Sequence, residues 1–384
     1  MDYETIFNTY KEATLYGRYI TLKDIEPLLL QFGKTDQLTV VGRSVLGKPI
    51  YSHQKGKGKT KILLWSQMHG NESTTTKALF DFYNFLHAGS KIATLLLNNF
   101  TFCGLPMLNP DGAELYTREN FNKIDLNRDA CDLSQPESIA LREIFNTFKP
   151  DFCYNLHDQR TIFGVGETDR PATVSFLSAA YNENRDINVV RAKAMHVIVA
   201  MNKALQQYIP GQVGRFDDSF NINCVGDLFQ SLHAPTILIE AGHAPNDYQR
   251  EQTRKYIFIA LIAGLQHINE NVIVGNEFHD YLNILQNKVT FYDFVYKNIK
   301  INYDSNKIIT NFALQYKEEL VDGTIRLSAY FAEIGKLENH FGHFEFNGNG
   351  ATYSDENENI PKLNVKANFW LDKNIEIVNG RIIS

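Results

Sequence analysis

Residues 61–80 read KILLWSQMHGNESTTTKALF. An apolar run closes on His69, two residues pass, Glu72 follows, and a row of hydroxyls opens a helix-like stretch. A continuous apolar run of this kind marks a strand buried on both faces of a sheet. A strand that hands over to a helix at a polar junction is where layered α/β sheets place their sites. A His and a Glu three residues apart at such a junction can converge on one metal ion. The spacing is common by chance, so the pair needs a third ligand, a base and groups that hold a substrate.

Working outward, the same alternation recurs. LKDIEPLLLQF, from Leu22, has helical spacing, and LTVVGRSVLGKPIYSHQKG, from Leu38, reads as two short strands around a Gly turn. NFTFCGLPMLNPDG is a strand entering a Pro/Asp/Gly turn. QPESIALREIFNTFKPDFCYNLHD is a helix, a Pro stop and a strand with a polar end. RAKAMHVIVAMNKALQQY is a helix and APTILIEAGH another buried strand. The expected fold is α/β: a mixed, largely parallel central sheet flanked by helices. After residue 272 the texture changes to aromatic, β-branched alternation, as in VTFYDFVYKNIKINY. Two domains are therefore expected, 1–272 and a smaller β-rich one over 273–384.

Composition narrows the function. The 384 residues are 43% hydrophobic and 21% charged, ordinary for a globular protein. Net charge is 38 − 44 = −6, which gives nucleic acid no purchase. The most lipid-like run, YIFIALIAGL from Tyr256, is far short of the ~20 residues a membrane helix needs. The start, MDYETIFNTYKEATLYG, has no apolar leader segment, and Cys103, Cys131, Cys153 and Cys224 form no CxxC pair. A cytoplasmic location with reduced thiols is the expectation.

Further candidates complete the set begun by His69 and Glu72. His157 closes the strand in FCYNLHDQR and can be a third ligand, or a hydrogen-bonded histidine. Arg118, Asn127 and Arg128 crowd the stretch LNPDGAELYTRENFNKIDLNRDA; arginines fork onto carboxylates, though surface pairing is the plainer use of any one of them. Asp125 can accept from the far nitrogen of a ligating histidine. Glu240 ends a buried strand, where a carboxylate is costly unless paired or used as a base.

The set HGNE, NPDG, TREN, DLNRD, NLHDQ and LIEAGH, in this order, resembles the zinc metallocarboxypeptidase family, best known from the pancreatic carboxypeptidases. The likeness spans roughly residues 15–270 and is similar to bacterial cytoplasmic members. It implies one Zn²⁺ per chain, held by His69, Glu72 and His157. It implies Glu240 as general base for zinc-promoted water attack, and Arg118 at the carbonyl and oxyanion. Asn127 and Arg128 would hold the substrate's terminal carboxylate, with Asp125 behind His69. The implied substrate is a peptide or acyl-amino acid with a free carboxylate.

One departure stands out. The mobile tyrosine that pancreatic members carry some twenty residues before the base is absent: the window GRFDDSFNINCVGDLFQ has Phe216 and Phe220 instead. The family's specificity floor falls near Val225, Gly226 and Asp227, where Asp227 either favours a basic side chain or caps a helix. Two other readings stay open: a zinc amidohydrolase or deacylase acting on N-acyl amino acids or cell-wall peptides, and a binding module with a vestigial metal site. GRSVLGK, from Gly42, is followed by Pro49 and reads as a hairpin turn rather than a phosphate loop. His340 and His343 read as surface histidines, and His243 as a loop histidine.

Overall fold

The computed structural model describes residues 2–274, 278–356 and 359–383. The chain divides into two compact units. One is Met1–Gln159 with Ala172–Asn287; the other is Arg160–Pro171 with Lys288–Ser384.

The first unit is built on β1 (Gln37–Arg43), β2 (Pro49–Gly56), β3 (Thr60–Ser66), β4 (Phe100–Leu105) and β5 (Phe152–Asp158). The chain then forms β6 (Phe163–Val165) in the other unit and returns with β7 (Val174–Ser178), β8 (Val213–Arg215) and β9 (Thr236–Ala241). The eight strands of the first unit follow the order β1-β2-β4-β3-β5-β9-β7-β8. The central β4, β3, β5 and β9 are parallel. β2 runs against both β1 and β4, and β7 runs against β9 while lying parallel to β8, so the sheet is mixed as its apolar runs suggest.

Alternation along β3 assigns its two faces. Ile62 and Leu64 join one core with Phe80, Met201 and Ile259, while Leu63 and Trp65 join another with Leu141 and Phe229. The helices supplying these faces are α1 (Tyr3–Tyr10), α2 (Leu22–Phe32), α3 (Thr74–His87), α4 (Lys91–Asn99), α5 (Pro110–Leu115), α6 (Pro136–Phe148), α7 (Val189–Leu205), α8 (Val225–Ser231) and α9 (Glu251–Glu270), followed by the short α10 (His279–Leu282). The helix α3 is buried nearly all round. Its Lys77 and Asp81, one turn apart, reach Glu251 at 2.5 Å and Arg254 at 2.6 Å on α9. These pairs neutralise charge that burial would otherwise make costly. The run from Tyr256 lies in α9 as a core helix, and no described helix is long and apolar enough to cross a membrane.

The second unit has the sheet β13-β12-β11-β14, formed by β11 (Phe291–Ile301), β12 (Ile308–Val321), β13 (Thr324–Gly335) and β14 (Phe341–Asn347). A smaller sheet joins β15 (Tyr353–Ser354), β16 (Phe369–Leu371), β17 (Ile375–Val378) and β18 (Arg381–Ile382). Aromatic rings fill the core they share: Tyr296 stacks on Phe312 at 5.4 Å, and Phe312 meets Phe369 edge-on at 5.4 Å. The β-rich texture after residue 272 has become these sheets, with β10 (Asn287–Val289) pairing to β6.

The division differs from the expected 1–272 and 273–384. The break falls after Asn287, and residues 160–171 join the second unit. Hydrogen bonds hold that segment there. The Ile162 carbonyl accepts from the Thr290 and Phe291 amides, and His343 Nε2 donates to the Thr161 carbonyl at 2.8 Å. His343, half-buried with its ring 4.8 Å from Phe291, is thus a tether rather than a surface histidine.

Candidate active site

The turn after β3 is shaped by close packing. Gln67 takes a left-handed conformation at φ 47°, and its Nε2 donates to the Ile20 and Gly70 carbonyls. A side chain on Gly70 would lie 1.9 Å from the Gly112 carbonyl carbon, so the two backbones meet there without room for a Cβ. Gly112 in turn donates its amide to Asn109 Oδ1, which caps α5, while Asn109 Nδ2 donates to the Met68 carbonyl. The NPDG stretch therefore holds HGNE in place.

That packing brings His69 and Glu72 to the end of β5. His69 Nδ1 lies 2.8 Å from Glu72 Oε1, and His157 Nδ1 lies 2.9 Å from Glu72 Oε2. The two Nδ1 atoms are 3.2 Å apart. All three side chains are buried. Next to His157, Asp158 donates its amide to Glu72 Oε2 and accepts with its carboxylate from the Thr74 and Thr75 amides, capping α3. Sequence reasoning missed this cap; its only signal was an Asp following the strand-end His.

Electrostatics within the group are strong. Burial alone would raise the Glu72 carboxyl. The charge of His69 and hydrogen bonds from His157 and His69 outweigh it and hold it far below the carboxylate range. Burial lowers His157, with Glu72 opposing, and lowers His69 less than Glu72 and Asp125 raise it.

Asp125 and Arg118 stand beside this group. Asp125 Oδ1 is 3.1 Å from His69 Nε2, the far ring nitrogen, and Asp125 Oδ2 accepts from Arg118 Nε at 3.1 Å. Arg118 Nη1 reaches Glu72 Oε1 at 3.4 Å, and its side chain is 42% exposed. Burial would raise Asp125, but His69 and Arg118 hold it well below its ordinary value. Asn127 lies in the single 3₁₀ turn Leu126–Arg128. Its Oδ1 accepts from the Val225 amide at 3.0 Å, which leaves the Nδ2 hydrogens to donate. Arg128 is exposed and donates to its neighbour's carbonyl and to Cys224 Sγ.

Glu240 of β9 stands in register with His157 of the parallel β5, so both side chains leave the sheet on one face. Glu240 is half-buried, and its Oε2 is buried without a hydrogen-bond partner. Burial first, then the charges of Glu72 and Asp158, push its carboxyl well above the ordinary value. Arg250 ties the two strand ends, donating to the Ala241 carbonyl at 2.7 Å and the Gln159 carbonyl at 2.8 Å.

The window before Glu240 is anchored by charge. Asp218 pairs with the buried Arg191 and with Arg185. Val225 packs into the core with Leu126 and Phe229. Asp227 is buried in the first turn of α8, where its carboxylate accepts from the Asn221 amide. Burial raises it to about 7.

The donor set fits a zinc ion. Two imidazole nitrogens and a carboxylate face one another at 2.8–3.2 Å; tetrahedral ligands at about 2.0–2.1 Å from an ion stand roughly 3.3 Å apart. Asp125 accepts on the far side of His69, the usual outer partner, so a neutral His69 turns a bare Nδ1 toward the Glu72 carboxylate, an arrangement that a cation between them satisfies.

Residues 31–216 match a family model described as zinc carboxypeptidase. These matched residues belong to the zinc carboxypeptidase family. The match contains His69, Glu72, Arg118, Asp125, Asn127, Arg128 and His157 and ends before Glu240, whose place rests on strand register. The zinc carboxypeptidase domain is 31% identical over 134 residues to probable carboxypeptidase 2 of Arthroderma benhamiae, covering 33% of this chain and 25% of that protein. It is 31% identical over 153 residues to carboxypeptidase E of Caenorhabditis elegans, covering 33% and 32%. The chain thus spans about a quarter to a third of these relatives. Among solved structures, a metallo-carboxypeptidase from Burkholderia cenocepacia superposes with TM-score 0.51 at 17% identity, over 64% of this chain and 68% of that one. Carboxypeptidase A from Helicoverpa armigera does so with TM-score 0.51 at 15% identity, over 70% and 80%. These two likenesses concern the fold.

Proposed function

We propose that the protein is a zinc-dependent metallocarboxypeptidase that hydrolyses the last peptide bond of a substrate with a free C-terminal carboxylate. The observation that carries this reading is the meeting of His69, Glu72 and His157 with an unpaired Glu240 oxygen on the adjoining strand.

His69, Glu72 and His157 would hold one Zn²⁺, which when bound supplies Lewis-acid polarisation of the scissile carbonyl and the attacking water. Glu240 takes a proton from that water as its oxygen attacks the carbonyl carbon. The same carboxyl then gives the proton to the departing amine, so the base is restored at the end of the cycle. The charges that raise the Glu240 carboxyl come from Glu72 and Asp158, and a dication among the donors opposes them. Arg118, held by Asp125, offers its guanidinium to the oxygen on which charge develops. Asn127 Nδ2 and the exposed Arg128 bind the terminal carboxylate, Arg128 by its fork geometry.

A panel of free-acid peptides, their C-terminal amides and N-acyl amino acids, assayed with wild type and Glu240→Gln, tests the reading. Cleavage of free-acid peptides only, with at least about 10³-fold loss of kcat in the variant and zinc retained, supports it. Turnover of acyl amino acids alone makes the enzyme a deacylase. Normal turnover by Glu240→Gln removes the assigned base. A wild type that binds peptides without cleaving any shows a binding module.

A further inference from the structure

A second group of three metal-capable donors lies elsewhere in the first unit: Asp36, His53 and His87. The helix α3 separates it from the first group. Glu72 precedes that helix and His87 is its last residue, so 14 residues intervene, about 20 Å of α-helix.

The three side chains converge on a point. Asp36 Oδ2 is 2.6 Å from His53 Nε2 and 2.7 Å from His87 Nε2. His53 and Asp36 are 1% and 4% exposed, and His87 is 23% exposed. His87 Nδ1 lies 2.7 Å from the Tyr83 carbonyl. A carbonyl only accepts, so Nδ1 carries the hydrogen and a neutral ring has a bare Nε2. That bare nitrogen is buried and forms no directed hydrogen bond, although the Asp36 carboxylate is in contact. A lone pair beside a carboxylate needs a positive charge between them, either a second proton or an ion.

The surroundings favour the ion. Lys55 Nζ occupies the other carboxylate oxygen at 2.6 Å from Oδ1, which turns Oδ2 to the imidazoles. Phe32 stacks on His87 at 4.5 Å, and Tyr83 meets His53 edge-on at 4.5 Å, so both ring planes are fixed. The Tyr83 carbonyl on the far nitrogen of His87 is the outer hydrogen bond that ligating histidines usually make. A cavity of about 520 Å³ lined by Thr35, Asp36, Lys55, Lys57 and Thr94 opens on the Asp36 side of the group.

We propose that Asp36 Oδ2 and the Nε2 atoms of His53 and His87 form a second metal site for a late first-row dication such as Zn²⁺. Two imidazoles and one carboxylate suit that ion, with a fourth position left to water. The Lys55 charge nearby makes this site the weaker of the two. Its role is a clip joining the end of α3 to β2 and to the turn before β1.

The test is equilibrium dialysis of the metal-stripped full chain against zinc, counted by elemental analysis. Two equivalents are expected for wild type and one each for His87→Gln and His157→Ala. The double variant should bind none. His87→Gln should keep wild-type circular dichroism and peptide hydrolysis. Asp36→Asn, with the same count of one, guards against a folding defect in His87→Gln. A wild type whose zinc uptake, whether one equivalent or two, is unchanged in both His87→Gln and Asp36→Asn overturns the proposal. Loss of the first site alone, seen as no change in His157→Ala, bears instead on the carboxypeptidase reading.

Discussion

The two ends of α3 each meet a trio of His and carboxylate side chains, and they were assembled differently. At its start, two donors come from one turn three residues apart, and the third from a neighbouring strand end. Asp158 caps the helix there through two backbone amides, a placement that the helix dipole favours. At its finish, three donors come from three separate elements, and a lysine shares the carboxylate. The first end has an arginine and the carboxyl of Glu240, raised by burial, close by; the second has aromatic rings and a lysine already held by Asp36, with no arginine or further carboxylate in its described contacts. Three ligands alone thus make a place for an ion, while chemistry also needs a proton acceptor and a cation for the developing charge.

That contrast can be broken by removing what only the first end has. Arg118→Met should lower kcat by about 10²–10³-fold through loss of oxyanion stabilisation, measured by steady-state kinetics on a free-acid peptide. A loss confined to KM would place Arg118 in substrate binding instead. A smaller effect is expected at the residue behind His69. Asp125→Asn should weaken zinc binding about 10–100-fold, read by competition with a chelator, while leaving the uptake assigned to His87 intact. Equal weakening at both ends would contradict their independence.

The smallest effect concerns the stretch of α3 between the two ends. Glu251 accepts from Lys77 of that helix, and burial is outweighed by Lys77, Lys11 and Arg254, bringing its carboxyl to about 2. A folded-state value below the unfolded one means the pairing stabilises fully above about 4.5 and is lost as pH falls toward 2. With screening at this partly solvated group, about 1 kcal/mol is expected. Denaturant midpoints of wild type and Glu251→Gln should draw together as pH falls from about 4.5 and meet only below about 2; a gap that stays constant over that range would assign the effect to packing.

Much of this was legible in the sequence, for identifiable reasons. β3, β5 and β9 are apolar runs with polar ends, so both the strands and the residues at their tips could be read. His69 and Glu72 share a turn, so their spacing carried the signal. Asp36, His53 and His87 gave none, because a turn, a strand and a helix end are brought together only by packing. β7 was also missed: VSFLS is only five residues long and short beside the polar, turn-rich stretches GETDRPAT and YNENRD around it. The glycines of HGNE and NPDG could be seen as motif letters, but their mutual contact belongs to the folded backbone. His343 looked like surface because nothing local pointed to residues 160–171.

That last segment has a consequence for how the chain is made. It leaves the ribosome directly after the strand bearing His157, yet the rest of its unit begins at Lys288. The gap from residue 171 to residue 288 is 288 − 171 = 117 positions. At ~5–20 residues per second of synthesis, that is a delay on the order of ten seconds. For that interval Ile162 and Phe163 wait without the strands that will receive them, and the nascent protein has a period of vulnerability built into its order of emergence.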